Sequence, residues 1–137
     1  MTRQKITDAD LGAFSDWHRG YMHSCYKFID VDYLGYQIVY GEYVPYVAIE
    51  RIRLRNDDPR VGPSEYPLHE HKRRVYESVA TSLDIPAYTM WHNDCCDVFW
   101  LKRIDAPEPI QELRGANELS DFLDGLCRNQ FGGLEYR

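Results

Sequence analysis

The chain has 137 residues, 44% of them hydrophobic and 28% charged, the size and composition of one ordinary globular domain, which excludes a disordered or collagen-like chain. No run approaches the roughly 18 apolar residues of a membrane span, and Met1–Asp8 has basic residues without an apolar core, so no secretory signal and a cytoplasmic location are expected. The net charge of −6 argues against a protein that coats nucleic acid, yet residues 51–76 hold seven Lys/Arg against four acids, a local +3 that leaves −9 elsewhere.

A helix is expected first, from Thr7 to about His18. Thr7-x-x-Asp10 is a capping-box variant with Asp in the place of Glu or Gln, Leu11, Phe14 and Trp17 recur at helical spacing, and Gly20 closes it. Residues 21–49 are rich in Tyr, Val and Ile, with turn signals at Gly35, Gly41 and Pro45. They predict strands at about Tyr26–Leu34, Tyr36–Tyr40 and Val44–Arg53. In the first of these, Phe28, Asp30, Asp32 and Leu34 alternate with Ile29, Val31 and Tyr33. Both faces therefore carry apolar side chains, as in an α/β sandwich covered on both sides.

Residues 54–66 form the clearest loop. A helix from Pro67 to Leu83 follows, with the apolar stripe Leu68, Val75, Tyr76, Val79 and Leu83, ended by Asp84-Ile85-Pro86. Strands at about Ala87–His92 and Val98–Arg103 flank the polar turn Asn93–Asp97. After a loop at Ala106–Pro109, Leu119, Phe122, Leu123 and Leu126 mark a last helix begun near Asn117. The expected order is α-β-β-β-α-β-β-α, in a single α/β domain spanning residues 1–137.

Two features carry chemistry. Asp30, Asp32 and Glu50 are acids on predicted strands, and carboxylates gathered on neighbouring strands repel unless a cation such as Mg²⁺ lies between them. The alternative is structural, with Asp30 at a wet strand edge and Glu50 paired with an arginine. Lys72 is the second feature. At about 100° per residue it falls in the middle of the apolar stripe of its helix, so it must either snorkel past the first turn or meet an anion. Cys25, Cys95, Cys96 and Cys127 form no C-x-x-C pair and read as reduced thiols. His92 with Cys95 or Cys96 as a nucleophile pair, and His69-x-His71 as a metal pair, lack supporting context. Seven tyrosines between positions 21 and 46 suit a half-covered sheet or base stacking.

Phe28-Ile29-Asp30-Val31-Asp32-Tyr33-Leu34 followed by Val47-Ala48-Ile49-Glu50-Arg51-Ile52 resembles the D…E-x-K core of the restriction-endonuclease-like, PD-(D/E)xK, nuclease superfamily. The later helix, Asp84–His92 and Val98–Leu101 look like its closing elements, so the resemblance covers roughly residues 8–104. It implies a mixed central sheet flanked by helices and a Mg²⁺- or Mn²⁺-dependent nuclease cutting DNA, able to pair as a homodimer. Asp32, with Asp30 as rival, would match the metal-binding Asp, and Glu50 the Glu of E-x-K. The expected lysine position is Ile52, a departure. Arg51 and Arg53 flank it, but strand alternation sends them to the other face. Lys72 takes the place of Gln in a Q-x-x-x-Y motif whose Tyr is Tyr76, and there it would restore the missing charge. Arg51, Arg53, Arg55, Arg73 and Arg74, with Tyr76, are the candidate nucleic-acid contacts. The alternative implied by Ile52 is a catalytically silent protein of that fold, binding a protein partner.

Overall fold

Tyr40 and Gly41 both have positive φ, 51° and 81°, the backbone a tight two-residue hairpin turn requires. They join β1 (Tyr33–Val39) to β2 (Glu42–Arg53), which pair antiparallel. The computed structural model describes residues 31–54 and 62–132. The expected helix at Thr7–His18 and the first part of the strand expected at Tyr26–Leu34 lie outside the described residues, as do Asp30 and Arg55. The turn expected at Gly35 is instead a bulge within β1–β2. Gly35 faces Val47 while Tyr36 faces Pro45, so Tyr46 is the extra residue. Pro45 is tolerated inside β2 because β3 pairs with that strand only from Ala48 onward, so its missing N–H breaks no ladder on that side.

A parallel partner needs a crossover, and α1 (Glu70–Leu83) supplies it between β2 and β3 (Ala87–His92). The helix begins three residues later than Pro67, with His69 as its N-cap, and ends where Asp84 turns left-handed. β4 (Val98–Arg103) returns antiparallel to β3 through a turn in which the Asn93 Oδ1 accepts the Asp97 and Val98 N–H groups. A further strand, β5 (Gln111–Arg114), pairs with β4 and runs into α2 (Gly115–Phe131), two residues earlier than the expected helix start. The sequence reading has a loop in the place of β5. Gln-Glu-Leu-Arg lacks strand-forming residues and buries only Leu113, so tertiary pairing overrides its local preference.

The described strands form one mixed five-stranded sheet in the order β1-β2-β3-β4-β5, flanked by two helices. Strand alternation divides its side chains. Val47, Ile49, Tyr88, Phe99, Leu101 and Leu113 form a core with Leu119, Phe122, Leu123 and Leu126 of α2. On the opposite parity, Ala48 and Ala87 pair side by side under Tyr76 and Ala80 of α1. Two alanines with no exposed surface let α1 lie close to the sheet, so its longer side chains reach the strand that carries Glu50. No helix among the described residues is long and apolar enough to cross a membrane.

Candidate active site

Glu50 has the parity of Ala48 and faces α1, where it is buried to 4% exposure. A carboxylate so placed needs partners for both oxygens. Helix α1 provides them one turn apart. Lys72 Nζ donates to Oε1 at 2.5 Å, and the Tyr76 hydroxyl donates to Oε2 at 2.5 Å. Of the two fates open to a lysine on an apolar stripe, Lys72 meets an anion. Its side chain retains 27% exposure, so the pair stands at the edge of the buried layer.

Tyr76 is fully buried and joins the Glu50 carboxylate to the backbone of Asp32. Its oxygen accepts the Asp32 backbone N–H at 3.2 Å and lies 3.3 Å from the Ile49 carbonyl. The Asp32 side chain accepts the Arg51 N–H at 2.9 Å, which holds it at the head of β1 beside the Glu50 segment. Burial first, and then the hydrogen bond to Glu50, push the Tyr76 hydroxyl well above its ordinary pKa. It therefore stays protonated and acts as a fixed donor.

Glu50, Lys72 and Tyr76 thus converge from β2 and α1, and the backbone of Asp32, just before β1, reaches the same tyrosine hydroxyl. Ile52 shares the Glu50 face and stands opposite Trp91 in register, so an apolar side chain fills the position two residues along. Arg51 and Arg53 take the other parity, both exposed, and Arg53 pairs with Asp94 at 2.5 Å. Arg73 bonds Glu70 and Glu77, and Arg74 bonds Glu70, all on the outer side of α1. His92 lies on the face opposite Glu50. Its Nδ1 is 2.8 Å from the Asn93 carbonyl and 3.5 Å from Cys96 Sγ, outside this cluster. The His69 and His71 rings stack at 6.1 Å between centroids on the exposed start of the helix.

Two residues that sequence reasoning missed share the site's row. Thr89 is the register partner of Glu50, and Lys102 is the register partner of Thr89. Glu50, Thr89 and Lys102 therefore follow one another across three strands on the α1 face. Among the described residues no group of three or more His, Cys, Asp and Glu side chains is placed to hold a metal ion. Two carboxylates nonetheless suit Mg²⁺, which takes one or two of them and completes its shell with water and phosphate oxygen. Searches of protein-family models, curated proteins and solved structures find no match to this chain.

Proposed function

We propose that this chain is a metal-dependent nuclease that hydrolyses phosphodiester bonds in DNA, on a restriction-endonuclease-like core. The observation that carries the reading is the Lys72 ammonium on the buried Glu50 carboxylate, with Asp32 tied to the same tyrosine. The lysine absent at position 52 has its counterpart on the helix. The hairpin, crossover helix and parallel strand around it agree with the core that the sequence resembles.

Asp32 and Glu50 are the residues that would hold the ion. The chemistry that Mg²⁺ or Mn²⁺ would supply there is positive charge for a phosphoryl oxygen and a lowered pKa for water. The Lys72 side chain is part-exposed, and its ammonium would turn from Glu50 to the charge that develops on the phosphate or to the attacking water. Tyr76 keeps Glu50 in one orientation throughout. Arg73 and Arg74 are held only by exposed ion pairs worth about 0–1 kcal/mol, which a DNA phosphate can replace at little cost. Arg51 adds charge on the far face. The protein's acidic balance limits this grip to a local contact, weakening with added salt.

One observation favours a second reading, a silent protein of the same fold that binds a partner. Both Glu50 oxygens are already satisfied, one by Lys72 and one by Tyr76. Calorimetric titration with Mn²⁺ separates the two. The nuclease reading expects a site lost in both Asp32→Ala and Glu50→Gln, and metal-dependent cutting of plasmid or single-stranded DNA above the Asp32→Ala background. Absence of a metal site together with absence of cutting leaves the silent reading.

A further inference from the structure

Beside Thr89, on the α1 face of the sheet, lies a cavity of about 680 Å³, within the 300–1,000 Å³ range of small-molecule sites. It begins one strand away from Glu50, because Thr89 both lines it and pairs with Glu50 in register. Its walls are mainly apolar, with Pro67, Leu68 and Ile110 around Trp91. The Trp91 ring is fixed there, since its Nε1 donates to the Tyr66 carbonyl at 2.7 Å.

Of the three basic residues that line the cavity, two are already held by acids. Arg103 and Asp105 line it, and Arg103 is fully engaged, by Asp105 through two hydrogen bonds and by Glu108 at 3.4 Å. Arg73 lines it while sharing its charge with Glu70 and Glu77. Lys102 lines it as well, is exposed, and has no ion-pair partner among the described residues. An apolar chamber with an uncommitted ammonium at its rim fits a flat, largely apolar ring joined to an anionic group. Its contiguity with Glu50 and Lys72 makes a nucleotide the ligand with both parts.

We propose that this cavity is a nucleotide subsite. A base enters between Leu68 and Trp91, and its phosphate meets Lys102, two strands away from the carboxylate that serves the scissile bond. The choice of a deoxynucleotide rests on the nuclease reading. A base can enter such a chamber only when it is unpaired, so the substrate is single-stranded DNA or a frayed end rather than intact duplex.

The test uses the full chain without metal, titrated with deoxythymidine 5′-monophosphate and with thymidine by calorimetry. The monophosphate is expected to bind saturably and better than the nucleoside. Lys102→Ala should weaken it about three- to tenfold, the loss of one exposed charge-assisted contact, with unfolding temperature unchanged. Leu68→Trp, which fills the chamber, should abolish binding, whereas Glu50→Gln should leave it within about twofold. Monophosphate binding that is absent, or indifferent to Lys102→Ala and Leu68→Trp, overturns the subsite, as does tighter binding of a blunt duplex than of its separated strand. Nucleotide binding without DNA cleavage would retire the nuclease and leave the subsite standing. Cleavage unaffected by either cavity variant would do the reverse.

Discussion

At the scale of single residues, the site depends on a carboxylate that is stable only in company. Removing one partner of a buried ion pair costs about 3–5 kcal/mol, while replacing both by apolar groups is often neutral or better. Lys72 keeps partial exposure, so the lower end applies. Chemical denaturation should show Lys72→Met destabilising by about 3 kcal/mol, and Glu50→Leu/Lys72→Met together destabilising far less than the sum. Additive losses would show that the pair is not coupled. Tyr76→Phe keeps the buried ring and loses the hydroxyl, at about 1–3 kcal/mol for a bond to a charged group. The pH dependence has a defined sign. The native hydroxyl's pKa lies above the ordinary value of 10.0, so its contribution is complete below pH 10 and is lost as pH climbs beyond it. Unfolding followed between pH 8 and 11 should fall less steeply in Tyr76→Phe. A residual slope should remain from Tyr46 and Tyr88, whose hydroxyls burial also shifts upward. The placing of Lys72 and Tyr76 toward the sheet was legible from helical spacing, and that of Glu50 from strand parity. Thr89 and Lys102 were not, because their place beside Glu50 depends on the parallel register of β2 with β3, two strands distant in sequence.

At the scale of elements, local signals served where the hydrophobic period was strong and failed where pairing decided. The strands at Ala87–His92 and Val98–Arg103 match their expected bounds because apolar residues crowd both faces. Gly35 was legible as a special position, but as a turn. Its role opposite the Tyr46 bulge depends on β2, where a Cβ built on Gly35 would stand 2.7 Å from Val47 Cγ1 and 3.1 Å from the Tyr46 ring. Gly35→Ala is therefore expected to cost about 1–3 kcal/mol, as overpacking does, and to lower the denaturant midpoint without changing the slope. An unchanged midpoint would mean that the hairpin yields freely. β5 escaped detection because three polar residues around one leucine become a strand only when β4 presents them with a ladder.

At the scale of the whole molecule, two layers meet the sheet with different duties. The α2 side is large and apolar, and holds the sheet with Tyr88, Phe99, Leu101 and Phe122. The α1 side is built from small residues, Ala48, Ala80 and Ala87, and the closeness they allow brings Lys72 and Tyr76 onto Glu50. The net charge of −6 gains a meaning from that division. The local excess of positive charge runs from Arg51 to Arg74 in the sequence, but Arg51 and Arg53 lie on the face opposite Glu50, so only Lys72, Arg73 and Arg74 stand on the helix beside the proposed site. The most direct measurement is the rate of Mn²⁺-dependent cleavage of an end-labelled single-stranded oligonucleotide by the native chain and by Lys72→Met. Cleavage by the native protein, reduced about 100-fold or more in the variant as expected for loss of a transition-state charge, with Mn²⁺ affinity retained, is the predicted result. Equal rates in the two proteins, or no cleavage by the native chain while it binds Mn²⁺, would contradict it.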